Sequence, residues 1–142
     1  MDGTTTVPVP AAPRAPSPIR VLVADDEDDI RALVCLAVAK AGGMVTDAVA
    51  DGTAALATAR AGLPDLAVLD VSMPGATGLE VCTALRADPA TAGIRILLLS
   101  AGASHDDVAR GLAAGADAYL AKPFGVAALV RQVQALATGQ PA

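Results

Sequence analysis

Five short runs rich in aliphatic residues, four of them followed at once by a polar residue, constrain the fold of this 142-residue chain more than any other feature. A short, unbroken apolar run is typical of a strand that is buried on both faces, as in a parallel sheet. Between the runs, apolar residues recur at the spacing of amphipathic helices. The predicted strands cover residues 20–24, 44–49, 66–69, 94–99 and 118–121.

Local signals mark the ends of the first three predicted helices. Apolar residues from Ile30 to Ala41 recur at helical spacing and stop at Gly42-Gly43, and glycine commonly ends helices. Asp51 is predicted to cap a second helix that runs to Ala61, because aspartate accepts hydrogen bonds from a first helical turn. A third helix is predicted over about 78–87, after a loop rich in proline and glycine.

Two further helices complete the pattern. Ser104-His105-Asp106-Asp107 has the form of a capping box, and the helix that it opens is predicted to carry Val108 and Leu112 on its inner face. The fifth helix carries apolar residues from Val126 to Leu136 on one face. Five β-α units joined by short links predict an α/β domain. We expect a doubly wound, five-stranded parallel sheet in the flavodoxin-like order 2-1-3-4-5, with helices on both faces.

The first residues of the chain differ in composition from the rest. Residues 1–18 hold five of the ten prolines among Thr, Ala and Ser, and such a composition does not build a packed core. We therefore predict a disordered N-terminal arm over 1–18, one domain over 19–138 and a short C-terminal tail over 139–142.

Composition and charge exclude several classes of function. Aromatic residues make up 1% of the chain and tryptophan is absent, which removes the stacking surfaces that single-stranded nucleic acids need. A net charge of −5 opposes binding to nucleic-acid phosphates. No uncharged stretch approaches the roughly 18 residues of a membrane-spanning helix, and we find no secretory signal. We therefore expect a cytoplasmic domain that binds neither nucleic acid directly nor a membrane.

Polar side chains with complementary chemistry follow four of the predicted strands. Ligands of doubly wound sheets bind at the carboxyl ends of the strands, where the order reverses between the first and third strands. We therefore expect three carboxylates, a hydroxyl and an ammonium in one shallow pocket. The residues are Asp25 and Asp26 after the first strand, Asp70 after the third, Ser100 after the fourth and Lys122 after the fifth.

This combination predicts phosphoryl chemistry. Adjacent carboxylates repel one another, and a hard divalent cation relieves the repulsion. Carboxylate oxygens, a backbone carbonyl and water suit Mg²⁺, which commonly completes its shell with phosphate oxygens. One carboxylate would act as nucleophile, Lys122 would neutralise the transferring oxygens and Ser100 would donate a hydrogen bond to the product.

Several short motifs occur in a fixed order along the chain. They are Asp25-Asp26-Glu27, Asp70 with Met73-Pro74-Gly75 and Gly78-Leu79-Glu80, Ser100-Ala101, Gly115-Ala116-Asp117-Ala118-Tyr119 and Lys122-Pro123-Phe124. In this order and spacing the chain resembles the receiver domains of two-component response regulators over about residues 19–138. It is similar to the stand-alone type, such as the chemotaxis response regulator.

The resemblance implies a role for each polar residue at the strand ends. Asp70 would accept the phosphoryl group, and Lys122 would contact that group. Asp26 and Asp70 would bind Mg²⁺ together with the backbone carbonyl of Ser72. Asp25 would hold a metal-bound water.

The resemblance also implies a switch and its partners. Ser100 would move toward the phosphoryl group, Tyr119 would then swing inward, and the Lys122-Pro123 bond would be cis. A sensor histidine kinase or a histidine phosphotransfer protein would supply the phosphoryl group, and a downstream protein target would respond to the changed surface. The chain would catalyse its own phosphorylation and dephosphorylation without being a conventional turnover enzyme.

Alternative functions stay open at this point. We favour a stand-alone regulator, because only about four residues follow the last predicted helix. A phosphorelay intermediate, or the receiver half of a longer transcriptional regulator, fits the same residues. A phosphatase with an aspartate nucleophile is disfavoured, because such enzymes carry a second aspartate two residues later and position 72 is serine. Asp28 and Asp29 are interpreted as a solvated helix start.

Overall fold

Strands and helices alternate along the part of the chain that the computed structural model describes, residues 18–102 and 104–138. None of the helices within these residues is long and apolar enough to span a membrane. The strands are β1 (Arg20–Ala24), β2 (Met44–Val49), β3 (Leu66–Asp70), β4 (Arg95–Ser100) and β5 (Ala118–Ala121). The helices are α1 (Asp28–Lys40), α2 (Gly52–Gly62), α3 (Gly78–Ala87), α4 (His105–Ala113) and α5 (Val126–Ala137).

Most of these bounds agree with the sequence-based prediction. β1, β2, α3 and β5 begin and end at the predicted residues. β4 begins one residue later than predicted, because the Ile94 N–H donates to the Thr91 carbonyl in the preceding turn. The predicted arm over 1–18, apart from Pro18, and the predicted tail over 139–142 lie outside the described residues.

The strands form one parallel sheet in the order β2-β1-β3-β4-β5, which confirms the predicted fold class. Successive side chains point to opposite faces of a strand. In β1, Leu22 and Ala24 therefore enter one apolar layer, whereas Val21 and Val23 enter the other. α2 and α3 pack on the first layer, and α1 and α5 pack on the second. Both faces of β3 are covered, which explains its unbroken apolar run.

The prediction that Leu112 of α4 lies in the core is wrong. Leu112 was expected on the inner face, but it is 50% exposed, and the buried residue of this helix is Gly111. Successive helical residues lie about 100° apart around the axis, so a face centred on Gly111 turns Leu112 toward solvent. The N-cap of the predicted capping box is present, since Ser104 Oγ accepts a hydrogen bond from the Asp107 N–H at 3.1 Å. The Asp107 carboxylate, which a capping box would direct to the Ser104 N–H, accepts the Ser104 hydroxyl at 2.8 Å.

Arg86, in the last turn of α3, connects several segments around the starts of β4 and β5. Its guanidinium donates to the carbonyl oxygens of Ala92 at 2.8 Å and Gly115 at 2.9 Å. It also pairs with the Asp117 carboxylate at 2.9 Å, which accepts the Ile96 N–H at 2.8 Å. These contacts fix the positions of β4 and β5 relative to α3. Ser100 is the last residue of β4, and Lys122 directly follows β5.

We predict that Arg86→Ala lowers the free energy of unfolding by about 2 to 4 kcal/mol, because several part-buried acceptors lose a charged donor together. Urea unfolding would measure the loss. The matched control is Arg131→Ala, which removes an exposed arginine from α5 and should change stability by no more than about 0.5 kcal/mol. Equal losses in the two variants would contradict the role given to Arg86.

Candidate functional site

The carboxyl end of the sheet brings together Asp25, Asp70 and Lys122. Asp25 follows β1, Asp70 is the last residue of the neighbouring β3, and Lys122 follows β5. Lys122 Nζ lies 3.1 Å from Asp25 Oδ2 and 3.3 Å from Asp70 Oδ2. Both carboxylate side chains are almost completely buried, at 0% and 3% exposure, so one ammonium group faces two desolvated acids.

Backbone hydrogen bonds place these residues. The Asp25 N–H donates to the Val49 carbonyl of β2 at 3.1 Å, which extends the sheet by one residue beyond β1. The Lys122 N–H donates to the Ser100 carbonyl of β4 at 2.7 Å. The Gly78 N–H at the start of α3 donates to the Val71 carbonyl at 2.9 Å, and only glycine fits there, because a Cβ would lie 2.4 Å from the Asp70 carbonyl oxygen. The positions of the acids and of the lysine therefore follow from the sheet itself.

The same small turn follows three of the strands. Asp25 Oδ1 accepts the Glu27 N–H at 2.9 Å, and Asp70 Oδ1 accepts the Ser72 N–H at 3.3 Å. Ser100 Oγ accepts the Gly102 N–H at 3.1 Å. In each case the side chain bonds the backbone two residues later, as Asp and Ser commonly do in turns. These bonds orient the polar side chains at the mouth of the site.

A cleft of about 330 Å³ opens over these turns. Carboxylate oxygens of Asp25, Asp26, Glu27 and Asp70 lie within 4.8 Å of one another, and Asp26 and Glu27 are exposed. This spacing and this set of hard oxygen donors suit a small divalent cation. The cleft is lined by Asp26, Glu27, Asp70, Ser72, Ala101 and Lys122.

Glu27 belongs to the site, although no role is predicted for it from the sequence. Its Oε1 lies 3.2 Å from Lys122 Nζ, so the ammonium group contacts three carboxylates. Glu27 directly follows the acidic pair and precedes α1, and that position is the only signal for it in the sequence. By contrast, Asp28 and Asp29 lie in the first turn of α1, as predicted, and Asp28 pairs with Arg31 at 2.7 Å.

Ser100 and Tyr119 lie next to the cleft rather than in its lining. The Ser100 hydroxyl points into its own turn, where it accepts the Gly102 N–H. The half-buried Tyr119 ring belongs to the apolar layer on the α2 and α3 side, and its hydroxyl donates to the Gly102 carbonyl. The two residues are thus connected through one backbone residue of the β4–α4 loop. The Lys122-Pro123 bond is cis, as the resemblance implied.

The pKa of Asp70 and the pKa of Lys122 are both raised. The shift disfavours the charged form of Asp70 and favours the charged form of Lys122. Burial, followed by the negative charge of Asp25, raises the pKa of Asp70 to about 6, against the opposing effects of Lys122 and of the Ser72 N–H. Burial alone would lower the pKa of Lys122. The hydrogen bond to Asp25 and the charges of Asp70 and Asp25 outweigh it, so the pKa of Lys122 is raised. At neutral pH the site therefore holds an ammonium and an ionised Asp70.

The raised pKa of Asp70 gives a prediction for metal-free protein. The folded state binds the Asp70 proton more tightly than the unfolded state, so stability from this group is present below about pH 4 and is lost as the pH rises through about 6. Asp70→Asn removes the buried charge and should raise the free energy of unfolding at pH 7.5 by about 2 to 3 kcal/mol, with most of the gain gone at pH 4.

Urea unfolding in the presence of a chelator at the two pH values would measure this difference. Asp47→Asn, which removes an exposed charge from β2, controls for the change in net charge. A stability gain of Asp70→Asn that is independent of pH would contradict the assignment.

Comparison with known proteins agrees with this geometry. A family model described as the response regulator receiver domain matches residues 21–134. Over 116 residues the chain is 40% identical to the DNA-binding response regulator MtrA of Mycobacterium tuberculosis, a match that covers 82% of this chain and 49% of MtrA. The chain thus spans about half the length of the curated relatives that it matches.

Solved structures show the same fold. The signal receiver domain of the putative response regulator NarL from Mycobacterium tuberculosis has a TM-score of 0.82 at 35% identity, over 88% of this chain and all of that one. The chemotaxis response regulator CheY4 of Vibrio cholerae has a TM-score of 0.77 at 35% identity, over 84% of this chain and 98% of that one. The sheet order, the acidic site and these matches together show that the chain belongs to the response regulator receiver domain family.

Proposed function

We propose that Asp70 accepts a phosphoryl group from a phosphohistidine of a partner protein. The observation that carries this proposal is the ammonium of Lys122, held within 3.3 Å of the carboxylates of both Asp25 and Asp70 at the edge of an open cleft. A fixed cation next to a carboxylate nucleophile is what transfer of an anionic group requires. Asp70 lines the cleft although its side chain is otherwise buried.

The residues of the cleft fit Mg²⁺. Four carboxylate oxygens within 4.8 Å of one another carry more negative charge than the single Lys122 ammonium balances, and oxygen ligands are those that Mg²⁺ prefers. Asp26, Asp70 and the backbone carbonyl of Ser72 would hold it directly, and Asp25 would hold it through a bound water. When bound, Mg²⁺ supplies positive charge that stabilises the oxygens of the transferring group.

The transfer itself needs few groups from this chain. A carboxylate oxygen of Asp70 forms a bond to phosphorus while the phosphorus–nitrogen bond of the phosphohistidine breaks, and the electron pair returns to the imidazole. No base is required, because Asp70 is ionised above pH 6. Lys122 hydrogen-bonds an oxygen of the phosphoryl group. Attack by water on phosphorus later restores the carboxylate and releases phosphate.

Ser100 and Tyr119 are proposed to convert this modification into a change of surface. Ser100 would turn its hydroxyl from the Gly102 N–H toward a phosphoryl oxygen, which frees one contact of the β4–α4 loop. Tyr119 is bonded to the same Gly102 and would follow that loop. The protein is therefore a switch with two states rather than a conventional turnover enzyme.

The proposed partners are a protein that carries the phosphohistidine, either a sensor histidine kinase or a histidine phosphotransfer protein, and a downstream protein target. Because MtrA is described as DNA-binding and this chain covers half of it, a receiver half of a transcriptional regulator is the second candidate. The net charge of −5 supports the view that the receiver itself does not contact DNA. Its cytoplasmic location stays a prediction.

Incubation with Mg²⁺ and a small phosphodonor such as acetyl phosphate should add one base-labile phosphoryl group, as seen by intact mass. Asp70→Asn should abolish the gain, and Lys122→Ala should slow it by at least about ten-fold, since the loss of one charge-stabilising donor typically costs that much or more. Asp29→Asn is the matched control, because Asp29 is exposed on α1 outside the cleft. An undiminished mass gain in Asp70→Asn would contradict the assignment of Asp70 as the residue that accepts the phosphoryl group.

Gly111 is predicted to determine the position of the Tyr119 ring. A methyl group added there would lie 2.9 Å from Tyr119 Cδ2 and 3.2 Å from Leu98 Cδ1. Gly111→Ala should therefore displace the ring, break its bond to Gly102, and cost about 1 to 2 kcal/mol, because overpacking exceeds the gain in helix propensity.

Ring chemical shifts of Tyr119 and urea unfolding would test this prediction. Gly93→Ala is the control, because nothing lies within 4 Å of a Cβ at that position. Unchanged Tyr119 shifts in Gly111→Ala would show that the ring has more room than the structure indicates.

A further inference from the structure

Three carboxylates of the cleft surround the ammonium group of Lys122, which donates hydrogen bonds to two of them, Asp25 and Glu27. A lysine ammonium carries three protons. Its Nζ lies 3.1 Å from Asp25 Oδ2, 3.2 Å from Glu27 Oε1 and 3.3 Å from Asp70 Oδ2. Three donors thus face three carboxylates. A phosphoryl oxygen that approaches Lys122 therefore competes with these carboxylates for its protons.

Burial determines which carboxylate gives up its contact with Lys122. The Asp25 side chain is fully buried, and its other oxygen is held by the Glu27 N–H at 2.9 Å. Asp70 carries the new group and stays beside Lys122. The Glu27 side chain is 62% exposed, so water can take the place of Lys122 beside its carboxylate at a small cost in free energy.

The backbone of Glu27 favours exchange by side-chain rotation alone. Its N–H donates to Asp25 Oδ1, and its carbonyl accepts the Arg31 N–H of α1 at 2.9 Å. The backbone is therefore fixed on both sides. The only described hydrogen bond of the carboxylate is the one to Lys122. Glu27 can release the ammonium without any change in the helix or in the sheet.

We propose that Glu27 is the exchangeable partner of Lys122: its carboxylate occupies the donor that a phosphoryl oxygen takes, and it moves into water when Asp70 is modified. Glu27 is then a positioning residue that acts through Lys122 and competes with the incoming anion. The inference rests on the proposed function, since it concerns the same cleft and the same transfer. It assigns to Glu27 a role that opposes phosphorylation, whereas the other acids of the cleft promote it.

Beryllofluoride, a stable mimic of a phosphoryl group on aspartate, provides the test. It would be titrated at a Mg²⁺ concentration that saturates each variant, with emission of Tyr119 as the signal, because the chain has one tyrosine and no tryptophan. We expect Glu27→Gln to bind beryllofluoride about two- to five-fold more tightly than the unaltered chain, which corresponds to release of a partly exposed ion pair. Thermal unfolding would verify that each variant is folded.

Two variants separate contact from charge. Glu27→Asp keeps the negative charge but shortens the side chain by one methylene, so it should also bind beryllofluoride more tightly if contact with Lys122 is what competes. Asp29→Asn removes a charge nearby that makes no contact with Lys122, and it should leave the affinity unchanged. Weaker or unchanged affinity in Glu27→Gln would overturn the proposal, as would an equal gain in Asp29→Asn or no gain in Glu27→Asp.

The same experiment distinguishes this inference from the proposed function. Asp70→Asn should abolish the beryllofluoride response of Tyr119. If the unaltered chain responds and Asp70→Asn does not, the function stands and the affinities of the Glu27 variants decide the inference. If the unaltered chain fails to respond and also gains no mass with acetyl phosphate, the proposed function itself fails.

Discussion

One ammonium group set against two buried carboxylates is the interaction on which this molecule depends. Removing a carboxylate from water is expensive unless a cation and hydrogen bonds replace the solvent. Lys122 supplies the cation, and the turns after β1 and β3 supply the hydrogen bonds. The balance is incomplete, since the raised pKa of Asp70 means that burial and like charge still disfavour its ionised form. This residual cost makes the site ready to accept positive charge.

The arrangement of the strands explains why much of the site could be predicted from sequence. In a parallel sheet of this order the carboxyl ends of β1, β3, β4 and β5 meet at one edge, so the residues that follow short apolar runs must be neighbours. That rule alone is enough to predict that Asp25, Asp70 and Lys122 lie close together. The bounds of β2, α3 and β5 were equally accessible, because their apolar patterns stop at clear turn signals.

Features that depend on side-chain rotation were not accessible in this way. Whether Glu27 points to the lysine or to solvent is decided by one rotamer, and the sequence shows only another acid at a helix start. The face of α4 follows from how closely Gly111 approaches the Tyr119 ring, which turned Leu112 outward. The network around Arg86 joins segments that are far apart along the chain, and no local pattern indicates such contacts.

The three turns after β1, β3 and β4 have a consequence for the energetics of ligand binding. Because Asp25, Asp70 and Ser100 each bond the backbone two residues later, these side chains are already ordered in the folded chain. An incoming anion then orders few additional torsions, and little of its interaction energy is spent on loop entropy. A cleft this shallow, with few groups to contact a small ligand, can therefore still bind a small anion.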